Sequence, residues 1–103
     1  MILVESVNGV PIRLTAERWD HIAERHPEME GERRKVLDAL NKPDFVHEGD
    51  FGELLAVKFY EVTPLTSKHL VVAYKENSQK DGFIITAYFT SKPLVGRRVV
   101  WTR

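Results

Sequence analysis

The spacing of apolar residues changes character part-way along the chain. From Trp19 to Leu40 they recur at helical intervals, and beyond Pro43 they alternate or run in short blocks rich in β-branched and aromatic residues. "PIRL" (Pro11–Leu14) reads as a short strand leading into a first helix. Thr15 suits its N-cap, Glu17 its positive end, and Pro27 bounds it after His26. Trp19, Ile22, Ala23 and His26 form one stripe, which predicts a buried face. A second helix is expected from about Met29 to Asn41, with Met29, Val36, Leu37 and Leu40 as its stripe and Pro43 as its stop.

The remainder reads as strand. "DFVHE" is short, while "ELLAVKFYEV", "KHLVVAYKE" and "DGFIITAYFTS" are long. "TPLTS" and "NSQKDG" separate them at lengths suited to antiparallel hairpins. The tail "PLVGRRVVWTR" either adds an edge strand or wraps the domain. The expectation is one α+β domain over residues 1–103: two N-terminal helices packed on one face of a four-stranded antiparallel sheet, five-stranded if the tail joins.

Alternation then assigns faces. Phe83, Ile85, Ala87 and Phe89 are expected under the helices, leaving Ile84, Thr86, Tyr88 and Thr90 on an open face. Likewise Leu55, Val57 and Phe59 are expected to be buried, with Ala56, Lys58 and Tyr60 open. The register of "KHLVVAYKE" stays ambiguous. If Leu70, Val72 and Tyr74 lie under the helices, then His69, Val71, Ala73 and Lys75 share the open face. Such a surface combines lysines, tyrosines and threonines, able to hold an anion and stack a flat group. Threonine and tyrosine are also ordinary strand residues, and lysine keeps a sheet face soluble, so periodicity alone does not establish a site.

Composition narrows the chemistry. With 103 residues, 43% of them hydrophobic, there is material for a single core. Without cysteine there is no disulfide, thiolate metal site or cysteine nucleophile, which suits a reducing cytosol. The opening "MILVESVNGV" has no basic leader, and no apolar run approaches a membrane span, so a cytoplasmic location and no membrane partner are expected. Formal charge is +0, but residues 1–50 are acidic on balance and residues 51–103 basic. A polyanion would be drawn to surfaces built from the second half, unless the two halves simply attract each other.

"RWDHIAERHPEM" carries the other cluster. His21 and Arg25 are four residues apart and share a helix face, with Arg18 one turn earlier. His26 belongs to the apolar stripe, where a histidine often serves a helix end. His21 and His26 are about 140° apart around a helix, so they do not chelate one ion as an i, i+4 pair would. No zinc site, and no other metal or cofactor, is expected.

A helix with "HIAERHPE", a second ending in "ALNKPDFV", and strands closing on "IITAYFTS" together resemble the phage-associated Barnase–EndoU–colicin–RelE-like nucleases, over roughly Leu14 to Lys92. The resemblance implies metal-independent cleavage of RNA, with RNA as substrate and an antitoxin or immunity protein as partner. It implies catalytic groups at His21, Arg25, Thr86 and Tyr88, with His26 and Thr90 in substrate binding. Lys58, Tyr60 and Lys75 join the binding set from their facing alone. In such chemistry a base takes the 2′-hydroxyl proton, an acid protonates the leaving 5′ oxygen, and cations stabilise the charged transition state. No glutamate stands on the sheet as an obvious base, so His21 is base or acid.

Overall fold

The computed structural model describes residues 1–63, 68–92 and 96–103. The "TPLTS" turn and the start of the tail fall largely outside them. Among these residues seven strands and two α-helices follow the order β1 (Ile2–Glu5), β2 (Pro11–Leu14), α1 (Ala16–Arg25), α2 (Arg33–Asn41), β3 (Phe45–Glu48), β4 (Leu54–Phe59), β5 (His69–Ser78), β6 (Asp81–Thr90) and β7 (Val99–Thr102).

The class is α+β, but the sheet is larger and less uniform than expected. Its order is β1-β2-β6-β5-β4-β3-β7, and β2 runs parallel to β6 while every other pairing is antiparallel. Two strands precede the helices. β1 went unforeseen because "ILVE" is too short to display a period. The tail does supply an edge strand, β7, paired with β3.

Between the helices, a 3₁₀ turn at Pro27–Met29 replaces the expected start of the second helix. Gly31 there has φ +79°, a left-handed conformation that no α-helix interior accommodates, so α2 begins only at Arg33.

Both helices pack on one sheet face. Ile22 from α1 and Val36, Ala39 and Leu40 from α2 are fully buried in one cluster with Ile12, Leu70, Val72, Tyr74, Ile84 and Ala87. The opposite face is not open throughout. Leu55, Val57, Val71 and Ala73 are buried there, with Phe45, Ile85 and Tyr88 packed against them.

Two face assignments are therefore corrected. In β4, Ala56 lies under the helices while Leu55 and Val57 face away. Alternation fixes that these sets oppose each other, not which one the helices cover, and the small Ala56 leaves room for α2. In β6, Ala73 pairs with Thr86 but Tyr74 pairs with Ile84, so Ile85 is an extra residue in a β-bulge. Across the bulge the alternation inverts. Ile84 enters the core, whereas Phe83 pairs with Lys75 on the far face, the reverse of the expectation for Phe83, Ile84 and Ile85. Beyond the bulge Ala87 and Phe89 are buried as expected, and β5 takes the register with Leu70, Val72 and Tyr74 beneath the helices.

β2 pairs with β6 only at Gly82 and Phe83. That join depends on the absent side chain of Gly82: a Cβ there would lie 2.5 Å from Ile12 Cδ1 and 2.5 Å from the Lys75 carbonyl oxygen. The rest of this β6 edge is left to α1, whose Arg18 Nη1 donates to the Ile85 carbonyl at 3.4 Å. Among the described residues no helix is long and apolar enough to cross a membrane.

Gly82→Ala should destabilise the fold by roughly 1–3 kcal/mol, because the new methyl meets backbone on one side. Urea unfolding measures it, and a change within experimental error would show that the parallel join has slack.

Candidate functional site

α1 is placed by its two ends and its buried stripe. Thr15 Oγ1 accepts from the Arg18 amide at 3.1 Å, and the His26 amide donates to the Ile22 carbonyl at 2.8 Å. Ile22 anchors the helix in the core, and Trp19 packs against the same cluster. Since α1 lies along the β6 edge that β2 does not cover, its outward side reaches past that edge to the far face of the sheet.

A shallow cleft of about 300 Å³ forms there, lined by Arg18, His21, Arg25, His26, Ile85 and Thr86. His21 and Arg25 are exposed, while His26 and Thr86 are half-buried. The His26 ring centroid stands 5.8 Å from that of Tyr88, with the planes 32° apart. His26 Nδ1 is 3.8 Å from Glu28 Oε2. Thus His21, Arg25, His26, Thr86 and Tyr88 are brought to one place. His26 is both the C-cap residue of α1 and, through its side chain, a neighbour of Tyr88.

The chemistry available is that of anion binding and proton transfer. Arg25 makes no ion pair, and the Thr86 hydroxyl has no hydrogen-bond partner, among the described residues. Burial raises the Tyr88 phenol above its ordinary value of 10.0, although Arg97 opposes the shift. At neutral pH Tyr88 is therefore a neutral hydroxyl, able to donate a hydrogen bond. Glu17, Asp20 and Glu24 of α1 are exposed and do not line this cleft.

A second cleft, of about 240 Å³, adjoins the first and shares Ile85 and Thr86 with it. Its other lining residues are Asp50, Phe51, Glu53, Leu55, Ala73, Tyr88 and Arg97. Glu53 supplies the sheet-face carboxylate that the sequence did not reveal. It opens the stretch "ELLAVKFYEV", two residues before Leu55, so alternation gives it the face of Leu55 and Val57, which was expected under the helices and in fact lies on the far side. Arg97 is held bidentately by Asp50, at 2.8 and 3.2 Å. It comes from the loop before β7, where no periodic pattern marks it. Among the described residues no group of three His, Asp or Glu is arranged to hold a metal ion.

The remaining candidates lie elsewhere. Lys58 shares the helix-covered face and donates to the Lys42 carbonyl at 3.0 Å, where a cation suits the C-terminus of α2. Tyr60 packs against the main core and donates to the Lys35 carbonyl at 3.3 Å. Neither reaches the clefts, because β4 presents the opposite face from the one expected. Thr90 occupies the far face, but its hydroxyl accepts from the Lys92 amide at 3.3 Å and serves the turn after β6. Lys75 is on the far face opposite Phe83, with its Nζ close to Gly52, and lines neither cleft.

Comparisons with protein-family models, with curated proteins and with solved structures find no match.

Burial, with Asp38, Asp44 and Glu32 nearby, pushes the Tyr60 phenol up to about 12 from an ordinary value of 10.0. A raised folded-state value means the neutral phenol supports the fold fully below pH 10, and that support is lost as pH rises toward 12. Tyr60→Phe should therefore show a smaller alkaline fall in melting temperature than the wild type. Equal falls in the two proteins would contradict the half-buried placement of Tyr60 against the core.

Proposed function

We propose that the protein is a metal-independent endoribonuclease of the Barnase–EndoU–colicin–RelE-like kind. What carries this reading is the cleft that joins the α1 side chains His21, Arg25 and His26 to the β6 hydroxyl of Thr86. Helix and strand meet there around a guanidinium and a hydroxyl that have no partner among the described residues, a pair suited to a phosphodiester.

In this reading the 2′-oxygen of a ribose attacks its own phosphorus while the bond from phosphorus to the 5′ oxygen breaks. The products are a 2′,3′-cyclic phosphate and a 5′-hydroxyl. One imidazole takes the 2′ proton and another group returns a proton to the leaving oxygen. His21 and His26 are the two histidines at the cleft for these roles. Arg25 and Thr86 hold the non-bridging oxygens as charge gathers on them, and Tyr88 donates as a neutral phenol. An RNA substrate in the cytoplasm, with an antitoxin or immunity protein to restrain the enzyme, completes the proposal.

A second reading is a module of the same fold that binds RNA or protein without cutting. One observation favours it: among the described residues His21 is exposed and no hydrogen bond orients its ring. Catalytic imidazoles usually have such a partner.

His21→Ala separates the two. The enzyme reading expects wild-type cleavage of single-stranded RNA in EDTA, with cyclic phosphate ends. The variant should fall by about 10²–10⁴-fold in rate while keeping its melting temperature and RNA affinity. Intact RNA after prolonged incubation with concentrated wild-type protein would leave only the binding module.

A further inference from the structure

We infer that Phe51 is a stacking platform for an unpaired nucleobase, seated beside the phosphate-holding cleft. Phe51 is 84% exposed, the most exposed large hydrophobic residue among those described. Other partly exposed phenylalanines lean on neighbours: Phe59 meets the His69 ring at 5.7 Å, and Phe45 meets His47 at 5.1 Å. Among the described residues Phe51 has no ring contact.

Its exposure does not come from a loose loop. The Phe51 amide donates to Glu53 Oε1 at 2.9 Å, and the Gly49 amide to the Glu53 carbonyl at 2.8 Å. On the preceding residue, Asp50 grips Arg97 through two bonds. Gly52 adopts φ +83°, which lets the chain turn back into β4 directly after the ring. The backbone on both sides is hydrogen-bonded, so binding would cost mainly the ring's own rotamer freedom rather than ordering of the loop.

The ring rims the cleft that contains Thr86, Tyr88 and Arg97, and that cleft shares Ile85 and Thr86 with the one holding His21 and Arg25. A ligand spanning both needs an anionic group for Arg25 and Thr86 and a flat π-face a short step away. Single-stranded RNA has that layout, since every base offers a face while its phosphate lies alongside. The occupant is thus a base flanking the phosphate held at Thr86. This rests on the RNA reading of the clefts, and not on whether that RNA is cut.

The test uses His21→Ala protein, so that RNA stays intact, with Phe51→Ala or Phe51→Trp added. Affinity for a labelled single-stranded RNA oligonucleotide should drop about 5- to 100-fold with Phe51→Ala, a stacked base being worth roughly 1–3 kcal/mol, and return with Phe51→Trp. An oligonucleotide of abasic residues should bind equally well with or without the Phe51→Ala change. Unchanged affinity for intact RNA on Phe51→Ala overturns the inference. So does an equal loss for the abasic chain, which points to a non-stacking role such as a protein-facing surface. Phe51-dependent RNA binding by a wild-type protein that cuts nothing would sustain the stacking site and sink the nuclease.

Discussion

One extra residue in β6 governs the candidate site. Ile85 bulges out between the pairs Ala73–Thr86 and Tyr74–Ile84, and the alternation of the strand inverts there. Before the bulge Ile84 is buried beneath the helices. After it, Thr86 and Tyr88 face the other way while Ala87 and Phe89 fill the core. A regular strand would send either Ile84 or Ala87 and Phe89 out of the core. The bulge keeps all three inside and aims the hydroxyls at the clefts.

The short parallel join acts together with the bulge. Since β2 covers β6 only at Gly82 and Phe83, the rest of the edge is free for α1. A helix on the core face would ordinarily be screened from the far face by the sheet itself. Lying at an uncovered edge, α1 projects His21, Arg25 and His26 past that edge to Thr86. Arg18, donating to the Ile85 carbonyl, ties helix and bulge together while satisfying an edge acceptor.

Electrostatics at this place is local rather than global. The chain has a formal charge of +0, and Arg13, Arg97 and Arg103 are each engaged by an aspartate. Of the two arginines lining the first cleft, Arg18 donates to the Ile85 carbonyl, while Arg25 has neither ion pair nor hydrogen-bond partner among the described residues and is left available to an anionic ligand. Much of the far face is occupied by a small apolar cluster, so binding chemistry concentrates at the β6 side and along the loop that presents Phe51.

Local chemistry settled a good deal in advance. The Thr15 cap, the stop before Pro27, the later strands and the turn before Asp81 follow from short-range rules acting on neighbouring residues. So does the shared helix face of His21 and Arg25. Three matters needed the folded chain. β4 shows which of its two faces the helices cover, a choice that alternation leaves undecided, and this removes Lys58 and Tyr60 from the site. The Ile85 bulge exists only in the pairing of β6 with β5, so no period in β6 alone discloses it. Glu53 follows Leu55 and Val57 onto the far face through that same choice in β4, while Arg97 and Phe51 sit in loops, where position is set by contacts across the sheet rather than by sequence spacing. Periodicity determined what each segment would be, and long-range pairing decided which way it would face.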